Sequence, residues 1–370
     1  MVRILFVGRT RYRLPLDEPT RKKFDALGEV SDVRVLATAA DGAAPGDDTF
    51  HLVRPVRPRV LDGLVFHLSL PMRVARELRD FDPDAVIVQG AHDVPAVRLG
   101  RALAKSSTPV VLDLHGDWRV TGRLYGSRMR RLAAPVVALL GSVGVKKADG
   151  VRTLSEFTTD LVREQGVEPT AEFPAFVDFG LFRELPLSPL PARPAVLFVG
   201  VLQDYKGVDV LAEAWRLAAP RVPDAELRIV GRGPKAGIVE ELLVELPRQT
   251  RWYPSLDQGE LLNEFDSSTA LVLSSRSEGL PRIVLESFCR GRPVISARAG
   301  GTVDLVRDGE NGLLVEAEDP EALADAIVDV LLDPVWAEEL SEGAARSAND
   351  WLATPEEFAE RMRDLVASLD

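Results

Sequence analysis

The sequence predicts an α/β protein made of two doubly wound, parallel-sheet domains. The chain has 370 residues, more than one ordinary hydrophobic core, and roughly 150 residues per domain suggests two domains. Apolar strand-like runs alternate with stretches of helical spacing in both halves, a rhythm typical of parallel sheets covered by helices. A proline-rich segment, 184–194, separates the halves and disfavours both helix and central strand.

Each half supplies its own set of strands. In the first half the runs read VRILFVG, DVRVLAT, AVIVQG, VVLDLHG and GVRTLS, and in the second AVLFVG, ELRIVG, ALVLSS, PVISA and GLLVE. We therefore assign 1–183 to an N-terminal domain, 184–194 to a linker and 195–349 to a C-terminal domain. The tail, 350–370, has the spacing of an amphipathic helix that starts at Thr354.

Composition narrows the class of protein. The hydrophobic fraction of 46% and the charged fraction of 28% are ordinary for a folded globular chain. No apolar run reaches the ~20 residues that span a bilayer, and the first strand begins without a signal-peptide cleavage site. The lone Cys289 lies in an apolar stretch. We therefore expect a cytoplasmic protein in which Cys289 is a buried structural thiol rather than a nucleophile.

Charge is distributed unevenly along the chain. The net charge is −12, and residues 1–180 carry 26 basic and 23 acidic side chains, whereas residues 181–370 carry 19 and 34. The segment 119–147 holds seven basic residues and no acidic one, which predicts an anionic partner. We hypothesise an acceptor that carries a phosphate, or peripheral association with an anionic surface at the inner face of the membrane. No nucleic-acid partner is expected.

The apolar run LAAPVVALLGSVGV inside segment 119–147 leaves two interpretations open. It is apolar enough to insert into a membrane surface and too short to span the bilayer. The alternative is burial in the core of the N-terminal domain.

The stretch 274–315 carries most of the chemical information. A strand ends at ALVLSS, Glu278-Gly279-Leu280 forms a loop, and Pro281 is well placed as the first residue of a helix. Free backbone N–H groups at a helix N-terminus favour a bound diphosphate, and glycine allows close approach. Gly300-Gly301 follows the strand PVISA at the corresponding sheet edge, where the backbone could also approach a ligand closely. The alternative is an ordinary strand-to-helix turn.

Two carboxylates bracket this helix start. Glu278 lies in the loop and Glu286 falls about five residues into the helix, ~7.5 Å along its axis. Apolar residues surround Glu286 in the sequence, so a charge there needs a reason. A nucleotide sugar presents vicinal hydroxyls on its hexose and its ribose, and a carboxylate can accept hydrogen bonds from such a pair. A Gly-x-Gly-x-x-Gly dinucleotide motif is absent after the first strand.

These residues resemble glycosyltransferase family 4 of the GT-B superfamily. The two glutamates appear as EGLPRIVLE, followed by GRPVI, AGG and DGENGLLV, and the likeness runs along the whole chain. It implies two Rossmann-like domains that face each other across a cleft, with the final helix, 350–370, packed on the N-terminal domain. It also implies that Glu278 holds hydroxyls of the donor sugar, Glu286 the ribose, and the backbone of Gly279 and Leu280 the sugar or phosphate.

The resemblance extends to the first strand of the C-terminal domain, with one departure. The family has Gly-Arg-Leu and then Lys-Gly, and this arginine and lysine clamp the diphosphate. Here the residues are Gly200-Val201-Leu202 and Lys206-Gly207, so the lysine is kept and the arginine is lost. We expect Lys206 to bind phosphate and one of three nearby arginines to substitute for the lost one: Arg276, Arg282 or Arg298.

The N-terminal domain carries the family's other landmarks. His115, at the end of VVLDLHG, matches the active-site histidine near the transferred sugar, with a structural histidine as the alternative. The family's first-loop glycine pair is replaced by GRTRYRLPL, whose Arg9 and Arg11 we expect in a loop that shapes the acceptor site. Arg119 and Arg123 are further acceptor-side candidates.

The resemblance implies a retaining hexosyltransferase that needs no metal and no cofactor beyond its co-substrate, a nucleotide-diphosphate sugar. Lys206 and the helix start at Pro281 would offset the charge of the leaving diphosphate. Two alternatives stay open. One is a nucleotide-sugar epimerase with the same donor pocket, and the other is a binding protein with weakened catalysis, which Val201 and the missing first-loop glycines favour.

Overall fold

The computed structural model describes residues 1–43, 46–56, 59–120 and 128–369. The chain folds into two compact units, which we call the N-terminal unit (Met1–Val177 with Ala353–Asp370) and the C-terminal unit (Asp178–Leu352). Each unit is built on its own sheet, and every strand pair within the two sheets is parallel. Two doubly wound domains are therefore what the structure shows.

The N-terminal unit holds a seven-stranded sheet in the order β3-β2-β1-β4-β5-β6-β7. Its strands are β1 (Val2–Tyr12), β2 (Ser31–Ala39), β3 (Phe50–Val53), β4 (Ala85–Val88), β5 (Val110–Leu114), β6 (Gly150–Thr153) and β7 (Ala171–Glu172). The helices between them are α1 (Glu18–Val30), α2 (Arg59–Asp80), α3 (Val94–Ala104), α4 (Arg128–Lys147) and α5 (Glu156–Arg163). The strand order reverses at β1, so the carboxyl ends of β1 and β4 flank the switch point at which open sheets bind ligands.

The C-terminal unit holds a six-stranded sheet in the order β10-β9-β8-β11-β12-β13. Its strands are β8 (Ala195–Val199), β9 (Glu226–Val230), β10 (Thr250–Tyr253), β11 (Ala270–Leu273), β12 (Val294–Ala297) and β13 (Gly312–Val315). Its helices are α6 (Gly180–Glu184), α7 (Val208–Ala218), α8 (Ala236–Glu245), α9 (Gln258–Asp266), α10 (Arg282–Cys289), α11 (Thr302–Leu305), α12 (Pro320–Leu332) and α13 (Pro334–Ala348). Here the switch point lies between β8 and β11.

The last helix, α14 (Pro355–Ala367), belongs to the N-terminal unit. Thr354 caps it through a capping box with Glu357, which satisfies backbone N–H groups of the first turn. Its apolar face buries Phe358 and Met362 in the same core as α1, against which the helix packs. The amphipathic spacing of the tail predicted this helix and its start.

The proline-rich segment lies within the C-terminal unit, so the boundary between the units falls ahead of 184–194. Two buried arginines hold this segment against α9. Arg290 donates hydrogen bonds to the carbonyls of Leu185 and Pro186, and Arg292 donates to the carbonyl of Ser188. Proline lacks a backbone N–H, so this segment does not form a regular helix or strand in which its carbonyls would be paired. The two guanidiniums donate to these carbonyls instead.

Within the described ranges, no helix combines the length and the apolarity needed to cross a bilayer.

Candidate functional site

The loop between β11 and α10 brings Glu278 to the carboxyl edge of the C-terminal sheet. Two glycines make this placement possible, because a Cβ on Gly300 would lie 1.9 Å from the carbonyl oxygen of Glu278 and one on Gly301 would lie 1.9 Å from that of Gly279. Gly300 also has a φ of +59°, a conformation that favours glycine. The glycine pair therefore packs directly against the backbone of the loop that holds Glu278 and Gly279.

Glu278 is buried and holds a cation. Lys206 donates to its Oε1 at 2.5 Å, and the Ser275 hydroxyl donates to the same oxygen at 2.6 Å. Among the described residues, no partner contacts Oε2, so this oxygen is available for the hydroxyls of a ligand. The structure therefore brings together two residues that are far apart in sequence and were both predicted to bind the donor.

The position of Lys206 is set by the turn after β8. A short 3-10 turn, Asp204–Lys206, ends at Gly207, whose φ of +60° and contact with the carbonyl oxygen of Ser274 leave no room for a side chain. The Ser274 hydroxyl donates to the carbonyl of Lys206 at 3.0 Å. The lysine stem lies over Gly200, where a Cβ would meet Lys206 Cε at 3.4 Å. The turn is thus fixed onto the end of β11.

Glu286 lies in α10 and is 5% exposed. The helix begins at Arg282 with Pro281 as its N-cap, one residue later than predicted. Arg282 donates to Glu286 Oε1 at 2.6 Å. Burial raises the pKa of Glu286, and the opposing charge of Arg282 only partly offsets this effect. A carboxylate kept buried on an apolar helix at a cost in stability is typical of a binding site.

All three arginines proposed to replace the lost family arginine are paired with carboxylates. Arg276 forms a bidentate ion pair with Asp209, at 2.7 and 2.9 Å, and a second pair with Glu318. Arg282 is bound to Glu286, and Arg298 lies 3.5 Å from Glu316. None of the three therefore presents an unpaired guanidinium.

His115 follows β5 at the carboxyl edge of the N-terminal sheet. Its Nε2 lies 3.0 Å from Asp113 Oδ2, and Asp113 is also ion-paired with Arg152. Burial alone would raise the pKa of Asp113, but the facing charges of Arg152 and His115 hold it well below its usual range. The ionised Asp113 therefore orients the imidazole of His115, which is 43% exposed at its side chain.

The acceptor-side arginines are only partly as predicted. Arg9 and Arg11 lie in β1, which runs to Tyr12, rather than in a loop, because this strand continues its parallel pairing with β2 after an irregularity in register. Their guanidiniums lie 3.4 and 3.7 Å from the same carboxylate, that of Asp62. Arg119 is ion-paired with two carboxylates, those of Asp117 and Glu164. Arg123 lies outside the described residues.

A polar cluster at the switch point of the N-terminal sheet was not predicted. His67 from α2 and His92 and Asp93, just after β4, bring their nitrogens and a carboxylate oxygen within 4.8 Å of one another. Asp93 is 3% exposed, and burial lowers the pKa of His92 although Asp93 opposes that effect. Imidazoles and a carboxylate can bind a hydroxyl or ligate a transition metal. His92 follows its strand as His115 does, but no motif marks it.

Cys289 is buried, as predicted, and burial raises its thiol pKa to about 11. A thiol with this pKa is a poor nucleophile at neutral pH.

Two family models match the chain, one for each unit. Residues 188–348 match the model described as "Glycosyl transferases group 1", and residues 22–172 match the one described as "Glycosyl transferase 4-like domain". Together the two matches cover most of the chain, and both models describe glycosyl transferases. This class of enzyme is the one that the glutamate pair and the order of motifs indicated.

The curated relatives of the chain are also named as glycosyltransferases. A D-inositol 3-phosphate glycosyltransferase of Corynebacterium glutamicum is 32% identical over 185 residues, which cover 47% of this chain and 44% of the relative. The chain thus spans less than half of that relative's length. A GDP-mannose-dependent alpha-mannosyltransferase of the same species is 27% identical over 86% of this chain and 76% of the relative.

Solved structures show the same fold. Sucrose-phosphate synthase from Thermosynechococcus elongatus has a TM-score of 0.77 at 20% identity and covers 100% of this chain and 99% of its own. The Anabaena protein HepE in complex with UDP-glucose has a TM-score of 0.67 at 16% identity, with 100% and 99% covered. The fold of the chain is therefore GT-B, as predicted.

Proposed function

We propose that the chain transfers a sugar from a nucleoside diphosphate sugar to an acceptor hydroxyl, with retention of the anomeric configuration and without a metal ion. The observation that carries the proposal is the ion pair of Lys206 with Glu278 at the carboxyl edge of the C-terminal sheet. It places a cation and a hydroxyl-binding carboxylate side by side, beside the start of α10. The matches to the two glycosyl transferase models and the buried Glu286 support the same proposal.

For the chemistry we adopt the same-face route that the resemblance to glycosyltransferase family 4 implies. The bond between the anomeric carbon and the diphosphate oxygen breaks, a bond to the acceptor oxygen forms on the same face, and the acceptor proton passes to the leaving phosphate. Lys206 has three N–H donors, so it can keep Glu278 and still contact a phosphate oxygen. Its charge, with the backbone N–H groups at the start of α10, stabilises the diphosphate as negative charge develops.

For the acceptor we propose a polyol or glycan that carries a phosphate. Arg9 and Arg11 share one carboxylate, that of Asp62, so this part of the N-terminal unit holds an excess of positive charge. Arginine binds phosphate well because its donors are fixed in a planar fork. The curated relatives named for inositol 3-phosphate support this class of acceptor.

A product assay tests the transfer directly. The protein would be incubated with UDP-, GDP-, ADP- and dTDP-hexoses, each with and without an inositol phosphate or a glycerol phosphate acceptor, and the products would be analysed by mass spectrometry and proton NMR. We expect a glycoside with the anomeric configuration of the donor. An altered free nucleotide sugar would indicate an epimerase. Binding of a donor with no product from any acceptor would favour the non-catalytic alternative.

The helix α4 supports peripheral association with an anionic membrane. Its buried side packs closely, since a Cβ on Gly141 would meet Trp118 at 2.3 Å. Its other side exposes an apolar face at helical spacing: Leu132, Val136, Leu139, Leu140 and Val143. Lys146 and Lys147 end the helix, and the sequence of α4 contains no acidic residue. An apolar face flanked by cations fits the surface of a bilayer with anionic lipids.

Vesicle sedimentation tests this association. We expect the protein to bind phosphatidylglycerol vesicles at low salt and to bind phosphatidylcholine vesicles much less. The double variant Leu132→Ser/Leu139→Ser should lose the binding, whereas Leu332→Ser, an exposed leucine in the C-terminal unit, should keep it. Wild type that stays in solution with anionic vesicles at low salt would refute the membrane proposal.

A further inference from the structure

The loss of the family arginine at Val201 leaves the diphosphate site with one cation fewer. Val201 is 45% exposed, directly after β8 and within the segment that leads to Lys206. A nucleoside diphosphate carries at least two negative charges, and Lys206 already shares its charge with Glu278. A working site would therefore need a second cation close to residue 201.

The loop after β9 lies directly against this position. A Cβ on Gly231, where φ is +144°, would lie 1.9 Å from the carbonyl oxygen of Gly200, and one on Gly233 would lie 2.3 Å from that of Leu202. The backbone N–H of Leu202 donates to the carbonyl of Arg232 at 3.1 Å. Such close backbone contacts require glycine at positions 231 and 233. These two neighbours of Arg232 lie against the residues on either side of Val201, so the backbone of Arg232 is held next to Val201.

Gly200 also connects this loop to the lysine. The stem of Lys206 lies over Gly200 on one side, with Cε at 3.4 Å from the position of a Cβ. The backbone of Gly231 lies against the same residue. Gly200 is thus in contact with the neighbour of Arg232 and with the stem of Lys206, which places the backbone of Arg232 and the Lys206 side chain at one end of β8.

The guanidinium of Arg232 also has no ion-pair partner among the described residues. Of the residues that the structure describes, none forms an ion pair or a side-chain hydrogen bond with its guanidinium, and its side chain is exposed. Its neighbour Lys235, by contrast, is paired with Asp204 at 2.7 Å. Exposure alone would not single out Arg232, since most arginines in folded proteins are exposed. The fixed backbone position beside Val201 is what distinguishes Arg232.

We propose that Arg232 supplies the diphosphate-binding guanidinium of this site in place of the side chain at position 201, so that the cation has moved from the loop after β8 to the loop after β9. This inference rests on the proposed function. Arginine is suited to the role because its planar donors can bind phosphate oxygens in pairs.

Calorimetric titration with UDP, GDP, ADP and dTDP tests the proposal in the full chain. For the nucleotide that binds wild type, Arg232→Ala should weaken binding at least about tenfold, the loss expected when one charge-assisted contact is removed. Arg232→Lys should restore part of the affinity. The relocated variant Val201→Arg/Arg232→Ala should restore most of it. Lys235→Ala is the matched control in the same loop and should bind like wild type.

Comparison with the corresponding nucleoside separates the diphosphate from the base. Binding of the nucleoside without phosphates should be equal in wild type and Arg232→Ala, and thermal unfolding should confirm that each variant is folded. If wild type binds a nucleoside diphosphate and Arg232→Ala binds it equally, the inference is wrong and the proposed function stands. If wild type binds none of the four, the proposed function itself is wrong and the inference falls with it.

Discussion

The two units bury their central ion pairs for different purposes. In the N-terminal unit the side chains of Arg152 and Asp113 are 1% and 6% exposed, and they lie beneath His115. In the C-terminal unit the side chains of Lys206 and Glu278 are 12% and 9% exposed, and they lie at the sheet edge. The first pair is sealed into the core, whereas the second can still contact a ligand. Because these exposures differ little, the clearer difference between the pairs is that both oxygens of Asp113 have partners, Arg152 and His115.

Arg152 connects several elements of the N-terminal unit. It donates to the carbonyl of Phe173 at 2.9 Å, and its guanidinium lies 4.1 Å from the ring centroid of Phe173 and 5.4 Å from that of Phe358. These contacts join β6, the segment after β7 and the final helix. Glu278, by contrast, leaves one oxygen without a partner among the described residues.

The largest effect should come from breaking the sealed pair. Replacing Arg152 with methionine leaves Asp113 buried without its cation, so we expect a loss of about 3–5 kcal/mol in the free energy of unfolding. Urea denaturation measures this change. Arg163→Met, which removes a guanidinium from an exposed ion pair in α5, should change it by less than about 1 kcal/mol. Equal effects at both sites would contradict the structural role of Arg152.

The edge pair should respond in activity rather than in stability. Glu278→Gln keeps the shape of the side chain but removes the charge, and we expect kcat/KM for transfer to fall about 100-fold or more. The free energy of unfolding should fall by less than it does in Arg152→Met, because the glutamine carbonyl can still accept hydrogen bonds from Lys206 and Ser275. Glu316→Gln, at an exposed carboxylate near Arg298, is the control. If Glu278→Gln were strongly destabilised but transferred sugar as fast as wild type, the pair of Lys206 and Glu278 would be structural rather than part of a binding site.

Glu286 should show a smaller effect with a characteristic pH dependence. Because burial raises its pKa, the folded state binds more protons than the unfolded state between the ordinary and the raised pKa, so stability falls as pH rises through that window. Glu286→Gln should therefore be more stable than wild type at neutral pH, by about 0.5–1 kcal/mol, with the difference shrinking in acid. It should also bind nucleotide less tightly.

The control for this prediction is Glu342→Gln, an exposed carboxylate in α13. It should show no such pH-dependent gain in thermal unfolding between pH 4 and pH 8. A Glu286→Gln variant less stable than wild type at neutral pH would show that the carboxylate stabilises the fold, and the binding interpretation would lose its physical basis.

The sequence predicted the inner strands well and the edges poorly. The ten predicted runs all contain observed strands, whereas β3, β7 and β10 were missed. Each of these three lies at the edge of its sheet. An edge strand buries less of its surface and is short, as the two residues of β7 show, so its apolar signal is weak.

The same contrast holds for the candidate sites. Glu278, Glu286 and Lys206 were recognisable because a local motif marks each of them. Arg232 and the cluster of His67, His92 and Asp93 were not, since tertiary contacts alone bring these residues to their sites. Conversely, Arg119 looked like a free cation in a basic segment, yet two carboxylates, one of them 45 residues away, engage it. Sequence spacing cannot show such pairings.

On the proposed function, the C-terminal unit binds a nucleoside diphosphate through Lys206. Thermal unfolding of wild type, Lys206→Ala and the loop control Lys235→Ala with UDP, GDP, ADP and dTDP tests it most directly. We predict that one nucleotide stabilises wild type and the control by about 2.7 kcal/mol at a hundredfold excess over its dissociation constant, and that Lys206→Ala loses this gain. Equal stabilisation of Lys206→Ala, or no stabilisation of wild type by any of the four, would contradict the account.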